Sequence, residues 1–152
     1  MMNWKFSRIL ATAGPFGWLP IAPGTWGSAM AAAIWWFGTS FAALPIQISI
    51  IALLLPLAVW SAGVTEKELG HDAKPIVIDE VAGQWITLLM APRIWYITLT
   101  GFVLFRIFDV LKPFPVDLSQ RLPGGLGIVA DDVLAGIYAG ATLLILQKVF
   151  LA

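Results

Sequence analysis

"PIQISIIALLLPLAVWSAGV", Pro45 to Val64, is a run of twenty residues without a single charge. A bilayer core about 30 Å thick takes roughly 20 helical residues to cross, so the stretch reads as a membrane-spanning helix. The same reading extends to both sides of it. From Ile9 through Thr65, 57 positions, there is no Asp, Glu, Lys or Arg, a gap that an ordinary soluble fold does not leave. The chain as a whole is 59% hydrophobic and 12% charged, against roughly 25% charged residues in an average globular protein. The composition is that of an integral membrane protein.

Five apolar segments follow from length and patterning: about 27–44, 45–64, 75–90, 94–111 and 131–150. The third is short for a crossing and opens on Pro75, a good first helical residue. The expected fold is all-α, a polytopic membrane helix bundle of about five membrane helices, some short or re-entrant. A single domain over residues 1–152 accounts for it. With this topology Lys5, Arg8, Lys67, Lys74, Arg106, Lys112 and Arg121 fall on one face of the membrane and only Arg93 and Lys148 on the other. The inside rule assigns the basic face to the cytoplasm. Trp4, Trp18, Trp26, Trp85 and Trp95 lie near expected helix ends, where amphipathic rings settle at the interface.

Other classes are disfavoured by the same counts. Net charge is zero, which offers no field for nucleic acid. Cysteine is absent, removing disulfides, thiolate metal sites and cysteine-phosphate chemistry. The apolar run after Lys5 and Arg8, Ile9 to Ala13, is too short for a signal peptide.

All nine carboxylates, Glu66, Glu68, Asp72, Asp79, Glu80, Asp109, Asp117, Asp131 and Asp132, fall on the cytoplasmic face. The inside rule counts bases and says little about acids, so their segregation needs its own cause. A shared acidic site at the cytoplasmic interface supplies one. Asp79 with Glu80, Asp109, and Asp131 with Asp132 sit at helix ends against apolar sequence, where an ionised carboxylate costs ~2.5–3.5 kcal/mol and is usually partnered. Mg²⁺, a hard ion that takes carboxylate oxygens and water, is the simplest partner for adjacent acids. Helix capping is the plain alternative for Asp131 and Asp132, although it accounts for only one of two. Arg106, Asp109 and Lys112 recur every third residue along one ridge. That spacing fits an ion-pair row or an acid flanked by two phosphate-binding cations. Two glycine-bearing stretches, "PIAPGTWGS" with Thr25 and Ser28, and "LPGGLGI" with Gly124 and Gly125, read as loops whose free N–H groups suit an anion. His71, the one histidine, reads as an exposed loop residue rather than a general base.

"PIAPGTWGS", "PIVIDEVAGQW", "FRIFDVLKPFPV" and "GGLGIVADDVLAGIYAG" resemble, in order and over residues 14–140, the successive motifs of the phosphatidylglycerophosphatase A family of bacterial inner-membrane lipid phosphatases. The resemblance implies Mg²⁺-dependent hydrolysis of the terminal phosphate of phosphatidylglycerophosphate, giving phosphatidylglycerol and inorganic phosphate. It implies a multi-pass protein of the inner membrane whose active site faces the cytoplasm. The family's functional acids map onto Asp79, Glu80, Asp109, Asp131 and Asp132, with Lys112 and Thr25 from the flanking motifs. Without a thiol, an aspartyl-phosphate signature or a histidine set, the expected chemistry is direct attack by Mg²⁺-activated water, with Arg106, Lys112 and glycine-loop amides neutralising the phosphoryl oxygens. A CDP-alcohol phosphotransferase would need a DGxxAR...GxxxDxxxD pattern, which is missing. A small cation transporter using the acidic cluster is the non-enzyme alternative, and acids gathered on one face argue against it.

Overall fold

The computed structural model describes residues 4–70 and 73–150. Among them are seven α-helices and no strand: α1 (Trp4–Ala11), α2 (Pro23–Phe37), α3 (Leu44–Leu69), α4 (Ile78–Leu88), α5 (Trp95–Leu111), α6 (Val116–Ser119) and α7 (Gly125–Phe150). The all-helical expectation holds. Prolines stand in the first turns of α2 and α3, where the missing N–H would have had no helical partner anyway. Gly70 stops α3 at φ 97°, a backbone angle that side chains resist. His71 and Asp72 lie outside the described residues.

Two helices, α3 and α7, are long and apolar enough to cross a membrane, with mean hydropathy 2.1 and 1.7. The other three expected crossings are shorter: 15 residues in α2, 11 in α4 and 17 in α5. At 1.5 Å per residue α4 reaches only about 16 Å, roughly half a bilayer. Two further helices, α1 and α6, were not expected at all.

The start of α7 is the main correction to the expected boundaries. It begins at Gly125, so "GGLGI" is largely helix and Asp131 and Asp132 sit in the second turn, away from the cap. Close packing explains why glycines stand in a helix here. A Cβ on Gly125 would lie 2.0 Å from the carbonyl oxygen of Val59 in α3, and one on Gly127 would lie 2.2 Å from that of Leu122.

The buried centre is α4, which packs against α7, α2, α3 and α5. Its approach to α7 is set by small residues: a Cβ on Gly83 would meet the Asp132 carbonyl at 2.6 Å, and one on Gly136 would meet the Gly83 carbonyl at 2.5 Å. Thr87 fastens the crossing, its hydroxyl lying 3.0 Å from the Gly83 carbonyl and 3.3 Å from that of Gly136. Small residues that admit backbone contact are the usual device of helix pairs in lipid. Trp85 is not interfacial as expected. Its indole N–H donates to the Ala31 carbonyl at 3.0 Å, and its ring tilts on the buried Trp35 at 6.0 Å. Trp4, Trp18, Trp26 and Trp95 are exposed.

Candidate active site

One end of the bundle collects the start of α2, the start of α4, the end of α5 and the second turn of α7. The five expected acids all lie there, and they fall into two groups.

Asp79, Glu80 and Asp132 form the first. Each offers a carboxylate oxygen within 4.8 Å of the others'. Asp79 and Asp132 are buried, 6% and 3% exposed. Asp79 Oδ1, Glu80 Oε2 and Asp132 Oδ2 are inaccessible and have no hydrogen-bond partner. A buried polar atom left unsatisfied costs about 1–3 kcal/mol, more when charged. Three such atoms lie in one cluster with like charges adjoining, an arrangement that could hold a cation. The all-oxygen donor set suits a hard divalent ion that keeps some of its water, as Mg²⁺ does. Asp79 and Glu80 occupy the first turn of α4, where the helix dipole also favours negative charge.

Asp109 and Asp131 form the second group, and both are already paired. Asp109 Oδ2 takes the Arg106 guanidinium at 2.7 Å along one ridge of α5. Asp131 Oδ2 takes the Lys112 ammonium, and also the Gln120 side-chain amide at 2.8 Å. Its other oxygen accepts the Asp132 backbone N–H at 3.0 Å. The ridge expected from the three-residue spacing is therefore broken after Asp109. Lys112 closes α5 as its C-cap in the left-handed region, φ 44°, and leaves the ridge for α7. Non-glycine residues rarely adopt this angle, and where they do it is often part of a functional arrangement. Burial alone would lower the Lys112 pKa, but the hydrogen bond and charge of Asp131, with the charges of Asp109 and Asp132, raise it above its ordinary value. Lys112 is thus a fixed cation rather than a base.

The glycine stretch that opens α2 reaches the site by contact. A Cβ on Gly24 would lie 2.0 Å from Glu80 Oε1, so only glycine leaves the Glu80 carboxylate in place. Ser28 is fully buried. Its hydroxyl donates to the Gly24 carbonyl at 2.9 Å and accepts from Arg106 Nη1 at 3.3 Å. Thr25 and Arg106 line a hollow of about 520 Å³ between α2 and α5. Gly124, at φ 59°, and Gly125 face α3 instead: their added Cβ atoms would meet Glu66 Oε2 at 3.6 Å and Val59 respectively. Sequence reasoning passed over two residues. Gln120 carried no motif signal beyond its nearness to α7. Gln84, fully buried one turn beyond Glu80 with both amide atoms unpartnered, stands within the quoted "DEVAGQW".

Comparison with known proteins places the chain in a family. The family model of phosphatidylglycerophosphatase A matches residues 9–147. A Bacteroides thetaiotaomicron protein, whose name assigns it by inference a phosphatidylinositol-3-phosphatase activity, is 38% identical over 139 residues, covering 86% of this chain and 87% of its own length. The phosphatidylglycerophosphatase A of Escherichia coli is 37% identical over 139 residues, 90% of this chain and 80% of that protein. Its Haemophilus influenzae counterpart is 38% identical over 135 residues, 87% and 83%. No solved structure matches the chain. The motif resemblance and the relatives agree, and the chain belongs to the phosphatidylglycerophosphatase A family.

Proposed function

We propose that this protein hydrolyses the terminal phosphate of phosphatidylglycerophosphate to phosphatidylglycerol and inorganic phosphate, as a multi-pass protein of the bacterial inner membrane with its site facing the cytoplasm. One observation carries the reading: three clustered carboxylates, two of them buried and each with one oxygen inaccessible and unpartnered, lie beside two cations at the end of an apolar bundle. The family's name supplies the substrate. A membrane setting follows from the two span-length helices and from an exterior crowded with large apolar side chains, such as Leu53, Phe37 and Ile145, each more than 60% exposed. Soluble monomers rarely show apolar surface on that scale.

Asp79, Glu80 and Asp132 would hold Mg²⁺. Bound there, the ion would supply Lewis acidity toward a phosphoryl oxygen and toward water. The chain's own residues do the rest. Arg106, held in place by Asp109 and Ser28, presents its remaining guanidinium donors to the phosphate oxygens. Lys112, kept charged by Asp131, adds a fixed positive charge where negative charge gathers during phosphoryl transfer. Water attacks phosphorus, the bond from phosphorus to the glycerol oxygen breaks, and the leaving oxygen takes a proton. A phosphomonoester at headgroup depth reaches this end of the bundle while its acyl chains stay in lipid.

The test is phosphate release by the purified protein in detergent, with Mg²⁺ and then with excess EDTA. Phosphatidylglycerophosphate and phosphatidylinositol 3-phosphate serve as parallel substrates. Metal-dependent release, faster from phosphatidylglycerophosphate, is the expected result. Higher kcat/KM on the inositol lipid would transfer the assignment to the activity named for the Bacteroides relative. Folded protein that releases phosphate from neither lipid would remove the phosphatase reading.

A further inference from the structure

Helix α4 carries five polar side chains, Asp79, Glu80, Gln84, Trp85 and Thr87. Two of them are joined to neighbouring helices: Trp85 donates to the Ala31 carbonyl of α2, and Thr87 donates to the Gly136 carbonyl of α7. The other three keep side-chain atoms without a protein partner, one oxygen each on Asp79 and Glu80 and both amide atoms on Gln84. Gln84 is among the largest fully buried side chains of the molecule. A glutamine shut away from water with neither its donor nor its acceptor matched costs stability, and folds keep such groups only rarely.

Position narrows what the amide serves. Gln84 follows Glu80 by four residues, so the two share one face of α4, about 6 Å apart along its axis. Side chains on a helix tilt toward its N-terminus, and the N-terminal turn of α4 is the one that carries Asp79 and Glu80. The Gln84 side chain therefore leans back toward the acidic cluster. The opposite direction along that face is apolar, since Leu88, one turn further on, is buried with Trp35, Ile97 and Leu143. Across from it, the Ser28 hydroxyl is already taken by the Gly24 carbonyl and by Arg106.

We infer that Gln84 is a positioning residue for the cation that Asp79, Glu80 and Asp132 would hold, its amide oxygen accepting a hydrogen bond from a water on that ion at the inner side of the cluster. The inference rests on the metal-dependent phosphatase reading and adds a neutral residue to the three acids. Mg²⁺ dehydrates reluctantly and keeps several waters. In a buried site those waters need acceptors beyond the ligands themselves, and outer partners of this kind tune the affinity for the ion. A glutamine supplies the acceptor without a fourth negative charge.

The test compares wild type with Gln84→Met, similar in volume but without the amide, and with Gln84→Glu, which keeps an oxygen and adds charge. Thermal midpoints of the purified protein in detergent are measured across a Mg²⁺ titration, because an ion that binds the folded state raises its midpoint. Phosphate release from phosphatidylglycerophosphate is followed over the same series. Gln84→Met is expected to need about 10-fold more Mg²⁺ for half-maximal stabilisation and half-maximal release, with release at saturating Mg²⁺ within about 3-fold of wild type. In EDTA its midpoint should be no lower than that of wild type, since it removes groups that have no partner there. Gln84→Glu should bind Mg²⁺ at lower concentration than wild type and melt earlier in EDTA, because it brings a fourth like charge to the cluster. A lower EDTA midpoint in Gln84→Met would make the amide a structural hydrogen-bonding group and overturn the inference. An unchanged Mg²⁺ requirement in either variant would overturn it too, while leaving the metal reading intact. Wild type that Mg²⁺ neither stabilises nor activates would remove the metal reading, and the role of Gln84 with it.

Discussion

The two acid groups at the site end use the same residue types and even neighbouring positions, yet they solve opposite problems. Asp131 and Asp132 are adjacent in α7, and both are buried. Asp131 is saturated with partners, taking the Lys112 ammonium, the Gln120 amide and a backbone N–H. Asp132 joins Asp79 and Glu80 in a cluster that leaves an oxygen of each without a partner. Consecutive residues on an α-helix point about 100° apart, so one faces the cation on the α5 cap and the other faces α4. The lesson is that adjacency in the chain does not make a functional pair. One group leaves carboxylate oxygens without partners, and the other spends its oxygens on cations that the protein already has.

Substitution separates the two groups most sharply at this pair. Asp132→Asn keeps the shape and removes one of three clustered charges, so kcat should fall on the order of 10³-fold or more, with insertion and folding intact. Protection against heating by Mg²⁺ should shrink as well, since an ion stabilises only the state that binds it. Asp131→Asn should cost about 10-fold, because it weakens the hold on Lys112 without touching the cluster. Phosphate release and thermal midpoints with and without EDTA check both. Equal losses in the two variants would erase the distinction.

Lys112→Ala probes the paired group from the other side. It leaves Asp131 buried without its ammonium, and it removes a cation beside the site. Turnover should drop about 10²-fold, in the range of losing one donor to a developing oxyanion, and stability by about 2 kcal/mol. That is less than the 3–5 kcal/mol of a fully buried pair, because the Lys112 side chain keeps 28% exposure. Lys112→Arg should restore stability more fully than turnover, since its charge remains but its geometry differs. A Lys112→Ala protein with normal kinetics would reduce the pair to scaffolding.

The sequence made much of this end legible, for a physical reason. Charges are so scarce in an apolar chain that each intramembrane acid stands out, and the topology of the apolar runs gathers them on one side. The division of the acids was not legible, because it depends on which helix face each one takes and on where α7 begins. Gly125 and Gly127 look like loop residues by propensity, yet they are helical because α3 and the α6–α7 turn press against them. Gly24, read as part of a loop, stands in the first turn of α2 and clears space for Glu80. The same blindness to tertiary contact put Trp85 at the interface when its N–H is spent on α2. Apolar length also overran the helix, since α4 breaks off after Leu88 although the apolar stretch runs on to Met90.

The smallest effect expected is at Gln120, and it tests the comparison most finely. Its amide donates to the same oxygen of Asp131 that Lys112 holds, so it is a neutral second partner on an acid that keeps its cation. Removing it in Gln120→Ala forfeits one hydrogen bond, a net of about 0.7 kcal/mol, or about 3-fold in kcat if Asp131 acts only by positioning Lys112. In the Lys112→Ala background the same change should cost more, because the amide is then the only side chain left on Asp131. Such a coupling, measured as a double-mutant cycle on phosphate release, is what a shared partner requires. Strictly additive losses would mean that Gln120 and Lys112 act on separate parts of the site, and the paired group would no longer be one unit.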